Sequence, residues 1–324
     1  MDLEEIKSQK TIAELLEFGI INIDKSSGPT SFNVSDFVKE KLELRKTSHG
    51  GTLDPKVTGV LPVFLNIACK LLGYFLGEDK EYIGIMRLHE DVELEKIKKI
   101  IKEKFLGKIK QTPPVKSRVK RQERLRTIYK FEILEQAENK KDFLFRAEVQ
   151  GGTYIRKLID DLGKELNVGA HMLELRRIRA GIFTEDGIFF AGKKHKEDSI
   201  VNLYDFEKAV DEYEKGNEEL LRKIIIPAEI VGEVYPAVEI KKDNLKKILT
   251  GKPIYKEDLI KNEKFEKGEQ KTGNFLTSSS SGKSQTNGEI ISVFCGERFI
   301  GMYKIINDKE IFAKAEFVMQ EMRG

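Results

Sequence analysis

SHGGTLDPKVTGVLPV, residues 48–63, decides how the rest of the chain is read. Gly50 and Gly51 allow a tight backbone, Pro55 pushes Asp54 out of the helical region, and an apolar run follows from Val57. A carboxylate so placed is held on a rigid loop. The residues alone also fit an aspartate cap with proline at the first position of a turn.

Working outward, Gly59 to Gly77 approaches the length of a membrane span but is broken by Pro62, Asn66 and Lys70. It reads as a buried strand followed by a buried helix. Upstream, the apolar Gly19–Ile23 run ends in DKSSGPTS, with Ser31 expected to cap the helix FNVSDFVKEKL. Downstream, YKFEILEQ and FLFRAEVQ alternate around Glu138–Lys141 as a hairpin would. From Tyr154, Ile155, Leu158, Ile159, Leu162 and Leu166 recur at helical spacing, with Gly163 weakening the last turn. LYDFEKAVDEYEK is a further helix, and Pro227 to Pro236 marks a change to short strand-like runs. A short helix, NLKKIL, closed by Thr250-Gly251 precedes strands around EIISVFCG, RFIGMYKII and EIFAKAEFVM. The polar, Ser- and Gly-rich stretch near 260–288 reads as a flexible insert. Two domains are expected, 1–230 and 231–324, in a chain of 324 residues.

The balance of 57 Lys and Arg against 54 Asp and Glu leaves only +3, so a nucleic-acid partner has to be sought in local clusters. RVKRQERLRTIYK supplies Arg118, Lys120, Arg121, Arg124, Arg126 and Lys130 against Glu123 alone, which suits phosphate binding or a solvated strand face. Arg176, Arg177 and Arg179 form a second run that either grips phosphate or braces the fold. Cys69 and Cys295 support neither a disulfide framework nor a zinc ribbon, and MDLEEIK lacks the features of a secretory signal, so a cytoplasmic setting is expected. No metal is predicted from His49, His89, His171 and His195, which have no metal-site spacing. GKS at residues 282–284 lacks the glycine and the strand of a phosphate loop.

DKSSGPTS together with HGGTLDPKVTGVLPV resembles the first two motifs of the pseudouridine synthases that modify the TΨC loop, and of the dyskerin-type H/ACA synthases. The likeness continues through KEYIG (80–84), PPVKSRVKRQERLRTIY (113–129), GGTYIRKLIDDLG (151–163) and GAHMLELRRIRAG (169–181), in family order. VKRQERLRTIY is similar to the guide-dependent branch, and the end of the chain to a PUA RNA-binding module. One departure is that Ser26 and Ser27 follow Lys25 where the family has DKPxG.

The resemblance implies an α+β fold: a mixed, largely antiparallel sheet flanked by helices, then a mostly-β PUA pseudo-barrel with the N-terminal tail near it. It makes Asp54 the nucleophile, Tyr82 the aromatic that packs on the target base, and Arg156 the aspartate's ion-pair partner. Without the family, Tyr82 reads as a core residue and Arg156 as an i, i+4 partner of Asp160. His49 and Leu175 are implied at the flipped nucleotide, and Lys25, Arg118, Lys120, Arg121, Arg124 and Gly251 as further RNA contacts. The implied reaction is uridine isomerisation in rRNA and also tRNA, with no cofactor. The implied partners are an H/ACA guide RNA, Nop-type and Gar-type accessory proteins and a kink-turn-binding protein. A stand-alone tRNA enzyme and a non-catalytic RNA-binding scaffold are the competing readings.

Overall fold

The computed structural model describes residues 3–113, 122–190, 193–195, 200–260 and 288–319. They form two compact units. One is built from residues 20–188 and 200–225, the other from 3–19, 189–190, 193–195, 226–260 and 288–319.

In the first unit, strands β1 (Gly19–Lys25), β2 (Thr47–His49), β3 (Thr58–Leu65), β4 (Lys80–Leu88), β5 (Gly107–Gln111), β6 (Arg124–Gln136), β7 (Asp142–Val149), β8 (Ala170–Ala180) and β9 (Phe183–Thr184) share one sheet. Its main path runs β9-β8-β4-β7-β6-β5, antiparallel at every step. β3 joins β8 in parallel at Thr58↔Arg176 and Gly59↔Arg177, and carries β1 and β2 antiparallel on its other pairings. The expected mixed, largely antiparallel sheet is therefore present.

β3 is buried from Gly59 to Leu65, as its apolar run requires. The expected helix after it starts as a 3-10 turn, Asn66–Leu71, before one short α-helix, Leu72–Leu76. The β6–β7 hairpin closes over Glu138–Lys141, where the Asn139 side chain accepts from the backbone N–H groups of Lys141 and Asp142. Ser31 does not cap its helix. Thr30 does, in a reciprocal box with Asn33, because the chain turns helical one residue earlier than the pattern suggests.

The Ile155–Glu165 helix packs Ile155, Leu158, Ile159 and Leu162 onto the β4–β7–β8 core beside Met86, Phe143 and Phe145. The helix continues through Gly163 to Glu165, and the glycine is there for packing. A Cβ there would lie 2.2 Å from the Ala170 backbone nitrogen, so only glycine lets the helix close against the start of β8.

The second unit has a five-stranded sheet in the order Ala237–Glu239, Ile290–Cys295, Arg298–Asp308, Ile311–Val318, Ile254–Tyr255. Only its first pair is parallel. Val238, Ile254, Ile291, Val293, Tyr303 and Ile305 fill its core. Residues 3–19 belong here: the Phe18 ring stacks on Phe299 at 5.3 Å, and Lys10 pairs with the buried Glu229 carboxylate. Among the described residues, no helix is long and apolar enough to cross a membrane.

Candidate active site

Asp54 sits between β2 and β3 on a loop clamped from three sides. Ser31 Oγ accepts from the Leu53 N–H at 2.8 Å and donates back to the Leu53 carbonyl at 3.2 Å. The Gly28 N–H donates to the Pro55 carbonyl at 2.9 Å, and the Val57 N–H closes a turn onto the Asp54 carbonyl at 2.9 Å. Lys25 supplies the third clamp: its ammonium donates to the carbonyls of Ser26 (2.9 Å), Pro55 (3.0 Å) and Val57 (2.8 Å).

Those three bonds correct the reading of Lys25 as an RNA contact. The side chain is fully buried and its donors are used on backbone, so it holds the loop rather than phosphate. Burial pulls its ammonium below the ordinary lysine value, and the negative charge of Asp54 opposes that pull.

With the backbone held, the Asp54 carboxylate remains about half exposed, and Arg156 Nε meets its Oδ2 at 2.9 Å. Asp160, the alternative partner, pairs instead with Lys157 and Lys164 at 3.4 and 2.6 Å. Arg156 is delivered by the start of the Ile155–Glu165 helix, whose N-cap, Tyr154, has no side-chain cap of its own. Gln111 instead holds the N-cap residue from β5: its amide donates to the Tyr154 carbonyl at 3.3 Å and accepts from the Tyr154 N–H at 3.0 Å.

Tyr82 and Leu175 lie in the same buried cluster as Leu53, the residue before Asp54. Each is only 8 % exposed, so they form a hydrophobic wall with a narrow open margin. Gly84 keeps that wall tight, since a Cβ there would lie 2.9 Å from Leu175 Cδ1. His49 ends β2, and its Nδ1 is buried without a hydrogen-bond partner. Burial, and then the charge of Arg177, lowers its imidazole below the usual range and favours the neutral ring.

The residues of the second arginine run all make contacts that brace the fold. Arg176 makes two 2.9 Å bonds to the Asp24 carboxylate and also meets Glu185. Arg179 binds Glu148 at 2.6 Å, and Arg177 is buried among backbone carbonyls. Of the first run, Arg124 stands opposite Gln111 at the end of β5–β6. Arg126 lies against the Gly152 turn that leads into the Arg156 helix. Arg118, Lys120 and Arg121 lie outside the described residues, as do the 282–284 motif and nearly all of the insert. Gly251 ends the Leu245–Leu249 helix with φ +88°, and open space surrounds its Cα.

Sequence spacing assigns neither Ser31, Gln111 nor Arg177 to this site: Ser31 reads as a helix cap and Arg177 as one more cation in a basic run, while Gln111 carries no signal. The pairing of β4 with β8 also brings His89 Nε2 within 2.9 Å of His171 Nδ1, which the histidine spacings did not suggest. Among the described residues, no third metal-type ligand joins them.

The chain matches the family model described as TruB family pseudouridylate synthase, N-terminal domain, over residues 39–155. It continues into the tRNA pseudouridylate synthase B C-terminal domain over residues 156–231. The chain belongs to the TruB family of pseudouridylate synthases. A relative in Methanothermobacter thermautotrophicus, named probable tRNA pseudouridine synthase B, is 43% identical over 234 residues, 72% of this chain and 68% of the relative. Among solved structures, a chain of a Cbf5-Nop10-Gar1 complex superposes with a TM-score of 0.79 at 35% identity, covering 97% of this chain and 89% of that one. A chain of an H/ACA ribonucleoprotein bound to substrate RNA containing 2′-deoxyuridine gives 0.76 at 34%, covering 96% and 88%. This TruB-family chain is an RNA pseudouridine synthase. The Asp54 loop, Tyr82 and Arg156 all fall within the first matched span or at its junction with the second.

Proposed function

We propose that the chain is the catalytic subunit of a guide-RNA-directed ribonucleoprotein that isomerises uridine to pseudouridine in rRNA, with Asp54 as the attacking carboxylate. The observation that carries the chemistry is the Asp54–Arg156 ion pair on a loop whose backbone is bonded at Leu53, Asp54, Pro55 and Val57. The net reaction breaks the N1–C1′ bond, rotates the uracil and forms a C5–C1′ bond, while one proton leaves C5 and one is taken up at N1. Whether it adds to the base, captures C1′ or helps to remove the 2′ proton, the carboxylate gains from being ionised and oriented before substrate arrives, and the charge-assisted pair with arginine supplies both. Tyr82 and Leu175 then receive the flipped base.

The guide-dependent assignment rests on likeness over 97% of the chain to a protein solved with Nop10 and Gar1. It implies Nop-type and Gar-type partners and a kink-turn-binding protein. The C-terminal sheet, with exposed Gly251, serves in this reading as a PUA module that grips the guide. A stand-alone tRNA enzyme is the second reading, favoured by the name of the Methanothermobacter thermautotrophicus relative.

The test is pseudouridine mapping by chemical labelling after incubation of purified protein with target RNA, with and without guide and accessory proteins. Guide-dependent product that disappears in D54N, with RNA binding retained, is the expected result. Product confined to bare tRNA moves the assignment to the stand-alone enzyme. An active D54N protein overturns the mechanism.

A further inference from the structure

Arg177 stands on β8 between two neighbours in register, Tyr82 on β4 and Gly59 on β3. Its side chain is buried, with Nε donating to the Val60 carbonyl at 2.8 Å and Nη2 to the Gly51 carbonyl at 3.1 Å. Tyr82 is its cross-strand neighbour, so the guanidinium acts electrostatically on the phenol. Gly51 and Val60 bracket Asp54 in the sequence, so one guanidinium ties both ends of the catalytic segment to the aromatic wall. Glycine is required at both approaches: Gly51 has φ +100° with its Cβ position 3.3 Å from Arg177 Nη1, and a Cβ on Gly59 would fall 2.2 Å from the Arg177 carbonyl oxygen.

The charge is the unexpected part. Arg176 and Arg179 on the same strand are neutralised by Asp24, Glu185, Glu148 and Glu81, whereas no carboxylate lies within ion-pair distance of Arg177 among the described residues. Lys80, a second buried cation, is close enough that Arg177 contributes, after burial itself, to bringing its ammonium down to about 8. A buried guanidinium without a carboxylate partner is a poor choice for stability, because an apolar side chain of similar volume serves a core at least as well. It suits a site where negative charge develops during reaction.

We infer that Arg177 is a positioning residue of the isomerisation, holding the Tyr82 hydroxyl and the Asp54 segment in one frame and biasing that frame with positive charge. The inference rests on the proposed role of Tyr82 at the target uracil. It is tested with full-length protein labelled with 3-fluorotyrosine, comparing wild type, R177K and R177Q. The 19F line lost in Y82F identifies Tyr82. Turnover is measured in parallel in the guide-assembled complex over a range of uridine-bearing RNA concentrations. Both substitutions should move the Tyr82 line and leave the other tyrosine lines in place. R177Q should lower kcat on the order of 30-fold with KM changed less than about threefold, and R177K should recover part of the loss. An unmoved Tyr82 line, an unchanged kcat, a rise in KM alone, or the failure of both variants to fold would overturn the inference. A wild-type complex, assembled with guide RNA and accessory proteins, that makes no pseudouridine refutes the proposed function instead, while the 19F line still reports the Arg177–Tyr82 contact.

Discussion

Replacing Arg156 by alanine separates a catalytic ion pair from a stabilising one. The two side chains are 57% and 46% exposed and meet through a single 2.9 Å contact. Exposed pairs of that kind contribute roughly 0.2–1 kcal/mol to folding. In a protein of this size that corresponds to a shift in melting temperature of no more than about 4 °C. With Asp54 in its proposed role, orientation of the carboxylate is worth much more to the reaction, because a reacting group displaced by about an ångström loses on the order of 100-fold in rate. R156A should therefore melt within about 4 °C of wild type and form pseudouridine on the order of 100-fold more slowly in single-turnover assays at saturating RNA. R156K should fall between them, since an ammonium keeps the charge without the planar fork. A melting temperature lowered by more than about 6 °C, or a rate within about threefold of wild type, would refute the reasoning.

Three further outcomes follow from the packing. Q111L takes the side-chain acceptor from the Tyr154 N–H, while the Tyr154 carbonyl keeps its bond from the Leu158 N–H, so it should cost about 1–3 kcal/mol in urea unfolding and slow turnover roughly tenfold. Full activity would show that the Arg156 helix starts correctly unaided. G59A forces a Cβ against the Arg177 carbonyl at φ +101° and should destabilise by more than about 3 kcal/mol, whereas wild-type stability would contradict the β3–β8 approach. Lys80 titrates at about 8 when folded and at 10.5 as an ordinary lysine. Between those values the unfolded chain binds more protons, so stability should rise with pH across that window by about 3 kcal/mol. K80M should flatten that rise when urea melts at pH 7.5 and 10 are compared.

Much of the site was legible because its chemistry is local. The Gly50–Gly51 pair, Pro55 and the apolar run that becomes β3 already state that Asp54 rides a stiff loop beside a buried strand. Helical spacing from Ile155 to Leu162 correctly chose the buried face and left Arg156 off it. Family motifs named Tyr82 and Arg156, but they could not say what holds them, and they sent Lys25 toward RNA when it is buried beneath the loop.

The sequence by itself determined the elements, their amphipathic faces and the residue types able to attack a nucleotide, since these depend on periodicity and on neighbours a few positions apart. Tertiary structure alone decided which groups meet. Gln111 reaches Tyr154 across 43 positions, Ser31 reaches Leu53 across 22, and Arg177 reaches Gly51 across 126. No local pattern encodes such distances. Strand order and register do: once β8 lies between β3 and β4, a residue that reads as one more cation in a basic run becomes the buried tie between Tyr82 and both ends of the Asp54 segment.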